Sequence, residues 1–482
     1  MKPLSSIFSE FVNSSRPKIC IQGLGFVGAA MAVACARAGT GLNGEPLFNV
    51  VGLDLATKVG EQRIEKINLG IFPFECTDAF LIEQTRLAHE KGNLKATTDV
   101  SELATASIVV VDVHFDIGDL TGEGLLDFAP FIRAIESIGD NIQSGALVVV
   151  ETTIPPGTCS KVIRPVLDRC AEKRGLRPGA FLLAHAYERV MPGANYLASI
   201  TDFWRVFAGD TTEAGDACEI FLSKIINVAH FPLTRLKNTT ASETAKVLEN
   251  SYRAVNIAFM DEWGKFAESV GIDMFEIINA VRQRPTHNNL KQPGFGVGGY
   301  CLTKDPLFAS LAAKSIFKLS KSEFPLSRSA VKINQDMPLN SLIKVRNALG
   351  SLNDKRILIM GISYRQDVAD TRYSPSQHFY ENAVKQGAQM ICCDPLISHW
   401  DELKIEVELC IDLCPNVDAV VFAVPHKVFR NLQPNIWLGG LAPYILDAND
   451  CLTYEQRAQF SELGCHLESI GRGACMDAFG GE

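Results

Sequence analysis

The run from Lys18 to Ala38 leaves few folds open to this chain. Lys18-Ile-Cys-Ile-Gln22 is a short apolar strand, Gly23-Leu-Gly-Phe-Val-Gly28 follows at once, and Ala29 to Ala38 is alanine-rich and helical in composition, closing at Gly39. Strand, G-x-G-x-x-G turn and helix in that order make the first unit of a dinucleotide-binding sheet. Gly23 permits the turn, Gly25 lets a pyrophosphate approach the main chain, and Gly28 lets helix and strand pack closely. Phe26 and Val27 open the helix whose N-terminus faces the phosphates. A second strand, Phe48 to Asp54, ends in an acid, with Thr40 to Pro46 as a loop inserted before it. An acid at that point accepts hydrogen bonds from the adenosine ribose and repels a 2′-phosphate, so it selects NAD over NADP. The blander reading of Asp54 is a solvated strand-end carboxylate.

The alternation continues. Ser107 to Val113, Ala146 to Val150 and Phe181 to Ala184 are apolar strands of the kind buried on both faces of a parallel sheet. Glu151-Thr-Thr-Ile-Pro-Pro-Gly157 follows the second of these. His185-Ala-Tyr-Glu-Arg-Val-Met-Pro-Gly193 follows the third and places Glu188 and Arg189 at the strand ends where open α/β sheets bind ligands. Ser242 to Val270 is one long helical pattern with apolar residues at three- and four-residue steps, and Lys246 and Asn250 share a face near its start. A helix of this length joins domains or forms a dimer interface. Another helix is expected over Asp336 to Leu349. A second alternating unit then begins: Arg356 to Met360, Met390 to Asp394, Asp418 to Val424 and Tyr444 to Asp447 are its strands. The expected fold is α/β, with two doubly wound Rossmann-like domains joined by a central helical domain. A length of 482 residues, too great for a single core, agrees with this. The glycine-rich tail from Gly471 to Glu482 is expected to be mobile.

Charge and composition exclude several classes. A net charge of -9 supplies no broad basic face for nucleic acid, so an anionic substrate must find its cations locally. No apolar run is long enough to span a bilayer, and Met1 to Arg16 lacks the pattern of a secretory signal. The fourteen cysteines are scattered without a disulfide framework, which indicates reduced thiols in the cytoplasm, and no metal-ligand spacing is present.

One cysteine stands apart. Pro293 to Phe308 carries Gly294, Gly296, Gly298 and Gly299, then Cys301, Lys304 and Asp305. Glycines leave backbone N–H groups unshielded, and such a loop can wrap a pyrophosphate. A thiol beside a cation and a carboxylate is the equipment of covalent catalysis. A structural cysteine in a flexible loop is the competing reading.

Six ordered segments resemble the nucleotide-sugar 6-dehydrogenases, the family of UDP-glucose and UDP-N-acetylhexosamine dehydrogenases. They are the Gly23 fingerprint, Glu151 to Gly157, Glu188 to Gly193, the Lys246 to Asn256 helix, Gly298 to Asp305, and Gly361 to Pro375. The resemblance implies oxidation of a sugar C6 alcohol to a carboxylate with two NAD⁺, through a thiohemiacetal and a thioester on Cys301. It makes Lys246 and Asn250 the oxyanion stabilisers and Asp305 the carboxylate that handles water and protons, with Thr153 and Glu188 as its partners. Arg189 and Arg365 fall to the substrate, and the Gly294 to Gly299 loop to the sugar and phosphates. Arg372 matches an arginine that in the family reaches the nucleotide from a neighbouring subunit. The implied domains are NAD-binding over 1–235, central over 236–335 and UDP-sugar-binding over 336–482, with the long helix at the core of a homodimer or higher oligomer. No nucleic acid or membrane partner is implied.

Pro192 stands where the glucose branch usually has a second acid, which favours UDP-GlcNAc or UDP-ManNAc. Val113-His-Phe-Asp116 departs from the family's usual Val-Pro-Thr-Pro, with His114 and Asp116 read as a solvated loop. Tyr300 replaces a histidine, Arg365 a lysine and Thr303 a proline. Two other functions compete: a two-electron β-hydroxyacid-type dehydrogenase, which explains neither Cys301 nor the third domain, and a non-catalytic sensor of NAD or nucleotide sugar.

Overall fold

The computed structural model describes residues 16–39, 44–117, 124, 126–319, 322–409 and 412–473. The expectations for the leader, for the start of the Thr40 to Pro46 loop and for most of the tail fall outside them. The chain divides into two units, Met1–Leu248 with Leu307–Glu323, and Glu249–Pro306 with Phe324–Glu482.

In the first unit, eight strands form one sheet: β1 (Lys18–Gln22), β2 (Asn49–Leu53), β3 (Leu94–Thr97), β4 (Ile108–Val111), β5 (Leu147–Val150), β6 (Leu182–Tyr187), β7 (Val206–Gly209) and β8 (Thr234–Arg235). Their order is β3-β2-β1-β4-β5-β6-β7-β8, parallel except where β7 runs against β6. The central strands read Ile-Val-Val-Val and Leu-Val-Val-Val and are wholly buried, because helices cover both faces. Helix α1 (Phe26–Arg37) lies against this sheet. Every residue from Gly28 to Ala36 is buried, and the small alanines let the helix approach. The strand expected to stop at Ala184 continues to Tyr187, so His185 is a fully buried strand residue and Glu188 follows the strand directly.

Helix α2 (Thr239–Val270) is the long helix read from the sequence. The second unit also holds the five-residue helix α3 (Tyr300–Lys304) and α4 (Pro325–Leu349). Helix α4 corrects the expected start at Asp336. Pro325 occupies its first turn, where the missing N–H costs nothing, and Pro338 is tolerated inside because its ring is buried. The second sheet is built from β9 (Arg356–Met360), β10 (Gln389–Cys393), β13 (Ala419–Phe422), β14 (Tyr444–Asp447) and β15 (Leu467–Ser469), in parallel order β10-β9-β13-β14-β15. A short hairpin, β11 (His399–Trp400) and β12 (Ile405–Glu406), interrupts it in sequence. Alternate residues feed separate cores: Ile357 and Ile359 on one face, Leu358 and Met360 on the other. Helix α5 (Pro375–Lys385) covers the first of these faces.

Candidate active site

At the C-terminal edge of the first sheet, Gly23 donates its N–H to the Leu53 carbonyl at 2.8 Å and holds φ +98°. A Cβ on Gly28 would lie 1.9 Å from the Gly23 oxygen, so that position admits only hydrogen. A Cβ on Gly25 would meet nothing within 4 Å, which leaves open space against the main chain. Helix α1 starts at Phe26 with no side-chain cap, so its first N–H groups are offered to an anion. Tyr196 steadies this turn by donating its hydroxyl to the Phe26 carbonyl at 2.6 Å. Asp54, at the end of β2, accepts from the Leu55 N–H at 2.8 Å and from Arg63 at 3.2 Å. The open Gly25 position, the uncapped helix start and the strand-end acid fit NAD. Val27 is half-buried in the first turn of α1.

Three neighbouring strands each end in an acid: Asp112 after β4, Glu151 after β5, Glu188 after β6. Arg205, missed from sequence, donates to Glu151 Oε1 at 3.0 Å, and the pair is almost fully buried. Burial pushes the Glu151 carboxyl up to about 7, with the Arg205 charge opposing the shift. Burial, reinforced by the Glu151 and Glu188 charges, also raises the Asp112 carboxyl. Lys246 Nζ donates to the Glu188 carbonyl at 2.6 Å, lies 3.6 Å from its carboxylate and sits 5.5 Å from the Tyr187 ring centre. Sequence reasoning proposed Lys246 and Glu188 separately; the fold brings them together. Arg189 is engaged elsewhere, donating to the Trp204 carbonyl and to the Tyr187 hydroxyl. Thr153 is half-buried in the loop after β5.

Two further side chains in this unit were missed. Glu243, near the start of α2, accepts from the N–H groups of Gly157 at 2.5 Å and Cys159 at 2.7 Å, fixing the Pro155-Pro-Gly157 loop. Burial pushes its carboxyl up to about 7, held back by those two donors. His185 lies 2.8 Å from the Ser242 hydroxyl, and burial drives its pKa down to about 3, so the ring is neutral.

In the second unit, Cys301 is exposed in the first turn of α3, which Gly299 opens at φ +76°. One turn on, Asp305 is buried and both its oxygens are engaged: Asn250 donates to Oδ2 at 2.7 Å, and Lys304 to Oδ1 at 3.1 Å. The loop glycines are used for contact. A Cβ on Gly298 or Gly299 would come within 2.7–2.8 Å of Tyr364, one on Gly296 within 2.8 Å of Pro375, and one on Gly294 within 2.5 Å of the Asn449 side chain. Tyr300 faces the Tyr373 ring edge-on at 5.0 Å and lies beneath Arg372, whose guanidinium is 5.4 Å from its ring centre. Arg372 pairs with both oxygens of Asp370, at 2.9 and 2.7 Å.

Phe295 and Gly296 line a cavity of about 260 Å³ together with Tyr364, Arg365, Ser376 and Asn449, among others. It opens at the C-terminal ends of β9 and β13, where the strand order reverses, the usual ligand position in such sheets. The N-terminus of α5, capped by Ser374, also faces it. Arg365 supplies a cation.

Known proteins resemble the chain along most of its length. The UDP-glucose/GDP-mannose dehydrogenase family matches in three parts: its NAD binding domain over residues 17–221, its central domain over 240–336 and its UDP binding domain over 358–453. A UDP-N-acetyl-D-mannosamine dehydrogenase of Pyrococcus horikoshii is 31% identical over 428 residues, spanning 86% of this chain and 91% of the relative. The solved NDP-N-acetyl-D-galactosaminuronic acid dehydrogenase of Methanosarcina mazei Go1 superposes with a TM-score of 0.79 at 25% identity, over 98% of this chain and 99% of that one. The solved UDP-D-ManNAc dehydrogenase of Pyrococcus horikoshii gives 0.78 at 26%, over 95% and 100%.

Proposed function

The chain belongs to the UDP-glucose/GDP-mannose dehydrogenase family and is an NAD-dependent oxidoreductase, and from that premise we propose that it oxidises the C6 hydroxyl of a UDP-N-acetylhexosamine to the uronic acid through a covalent intermediate on Cys301. The observation that carries this is the exposed Cys301 thiol in the first turn of α3, one turn ahead of an Asp305 carboxylate held by Asn250 and Lys304.

NAD, when bound, accepts one hydride from C6 in each of two oxidations. Gly23, Gly25, Gly28 and the start of α1 hold its pyrophosphate, and Asp54 takes its ribose. The Cys301 thiolate adds to the C6 aldehyde, and Lys246 and Asn250 stabilise the oxygen charge that develops. The second oxidation leaves an acyl group on Cys301. Asp305 directs a water to it, with Glu188 and Thr153 completing the proton path, and cleavage of the C–S bond releases the carboxylate and restores the thiol. The balance is RCH₂OH + 2 NAD⁺ + H₂O giving RCOO⁻ + 2 NADH + 3 H⁺. The cavity carrying Gly296 and Arg365 holds the nucleotide diphosphate, the 236–335 segment links NAD-binding and UDP-sugar-binding domains, and Arg372 completes the site of a second copy. That copy pairs along α2, whose exposed Leu248, Tyr252, Phe259, Trp263 and Phe266 recur at helical steps. The scattered cysteines, whose spacing makes no disulfide framework, suit a reducing cytoplasm.

NADH formation measured with UDP-GlcNAc, UDP-ManNAc, UDP-GalNAc and UDP-glucose tests this reading. Two NADH per UDP-N-acetylhexosamine are expected, and Cys301→Ala is expected to yield no more than one. A ratio of one in the wild type would return the reaction to the two-electron class.

A further inference from the structure

The second sheet contains a buried polar knot that the chemistry above does not use. Ser363, Asp394 and His426 follow β9, β10 and β13, and all three are fully buried. Asp394 Oδ2 accepts from the N–H groups of Ile362 at 2.9 Å and Ser363 at 3.1 Å, while Oδ1 accepts from Leu396 at 3.0 Å. Burial alone would raise this carboxyl; the His426 ring and these amides hold it below its ordinary value. His426 Nδ1 accepts the Asp367 N–H at 3.1 Å, which fixes the tautomer and places the ring proton on Nε2. That proton faces Asp394 Oδ2 at 3.2 Å and Ser363 Oγ at 3.1 Å. Ser363 Oγ then donates to the Arg365 carbonyl at 3.0 Å. The next residue after the histidine, Lys427, donates its N–H to Asp367 Oδ1 at 3.2 Å.

The knot therefore grips one loop at both ends. Ile362 and Ser363 are held at the start and Asp367 at the finish, where φ is +54°, a conformation a non-glycine residue keeps only when its surroundings impose it. Ser363 itself, and Tyr364, Arg365 and Gln366 between those anchors, line the 260 Å³ cavity. Tyr364 is also the residue against which Gly298 and Gly299 pack.

We infer that His426, acting with Asp394 and Ser363, is a positioning residue for nucleotide-sugar recognition: the three hold the Tyr364–Gln366 segment in its binding shape before the ligand arrives. None of the three lines the route of electrons or protons, so their effect falls on affinity. The inference rests on the assignment of this cavity to the nucleotide diphosphate.

Three variants of the full-length protein test it: His426→Leu, which removes both ring nitrogens; His426→Asn, whose side-chain oxygen can accept the Asp367 N–H; and Ser363→Ala, which removes one hydroxyl. Calorimetry with UDP, KM for the nucleotide sugar and for NAD, kcat and melting temperature are measured on each. His426→Leu is expected to raise the UDP Kd and the sugar KM together, by roughly 10- to 100-fold, with the NAD KM within about twofold of wild type. His426→Asn should recover most of that loss, and Ser363→Ala should show about a tenth of it. A folded His426→Leu protein with an unchanged UDP Kd, or one that loses NAD and nucleotide sugar equally, would overturn the inference. If His426→Leu does not fold, unchanged UDP Kd and sugar KM in Ser363→Ala overturn it. Wild-type protein that binds no UDP would overturn the nucleotide assignment itself, whereas wild-type binding with indifferent variants removes only the role of the knot.

Discussion

The two sheets begin alike and diverge within a few residues. Each first strand ends in a glycine at φ +98°, Gly23 after β1 and Gly361 after β9. Each of these glycines donates its N–H to the last carbonyl of the adjacent strand, Gly23 to Leu53 at 2.8 Å and Gly361 to Cys393 at 2.7 Å. In the first sheet the helix starts at once, at Phe26, and the short turn leaves open space against the main chain at Gly25. In the second, the segment from Ile362 to Ser374 intervenes before α5 and builds a wall of side chains around a cavity. The strand-end acids part in the same way. Asp54 is only partly buried and is held by the Leu55 N–H and Arg63, whereas Asp394 is fully buried and gives its oxygens to the loop beside it. One topological frame thus yields two kinds of site, decided by the length of the first turn and by what the second strand's acid touches.

The largest test of this contrast is a pair of glycine substitutions. Gly28→Ala places a Cβ 1.9 Å from a backbone oxygen, and we expect NAD affinity to fall by at least about 100-fold with UDP affinity retained. Gly361→Ala places a Cβ 2.5 Å from Val424 at a positive φ and should reverse that pattern. Calorimetry with each ligand alone decides it, and equal losses of both ligands in either variant would show that the two sheets do not act separately.

Next in size is the buried pair in the first sheet, where a cation, rather than amide groups, satisfies the acid. Arg205→Met strands the Glu151 carboxyl and should cost about 3–5 kcal/mol, read from urea unfolding. Adding Glu151→Leu should restore much of it. A double variant no more stable than the single one would mean that the pair's value lies in packing.

One buried carboxyl from each unit should answer pH in opposite senses. The Glu243 carboxyl in the first unit is raised from 4.5 to about 7 in the fold, so its contribution is fully present below about pH 4.5 and is lost as pH rises through 7. The loss amounts to about 3 kcal/mol at most. Asp394 in the second unit is lowered, so its contribution is present above its ordinary value of 3.8 and is lost as pH falls through the folded value. Glu243→Gln should therefore flatten the decline in stability across the window from pH 4.5 to about 7, seen as melting temperature over that range. A variant curve parallel to wild type would contradict the assignment. The smallest effect is expected from Asp54→Ala: a rise in the NAD KM of about tenfold, equivalent to one hydrogen-bonded carboxylate, with the nucleotide-sugar KM unchanged.

What was legible in the sequence was what is local. Gly23, Gly25 and Gly28 announce their turn by spacing alone, and Asp54 by its place at a strand end. The Cys301 loop and the Lys246–Asn250 step were likewise visible. Partnerships were not: Lys246 meets Glu188, and Asn250 meets Asp305, across separations of 58 and 55 residues. Arg205 and His426 carry no motif, because their roles come from neighbouring strands that only the sheet order brings together. The helix expected over Asp336 to Leu349 begins at Pro325, eleven residues earlier, and carries Pro338 in its interior. Its interior place is sustained by tertiary packing of α4, in which buried Asn334 donates to the Ala254 carbonyl at 3.1 Å.

The exposure of Cys301 has a practical side. Of the twelve cysteines among the described residues, it is the only exposed one; ten are buried and Cys76 is half-buried. An alkylating reagent at low excess should accordingly mark that thiol first among these twelve. On the mechanism proposed above, activity should fall in step with labelling of Cys301, followed by peptide mapping. On that same mechanism, mild oxidants should silence the protein while its fold stays intact.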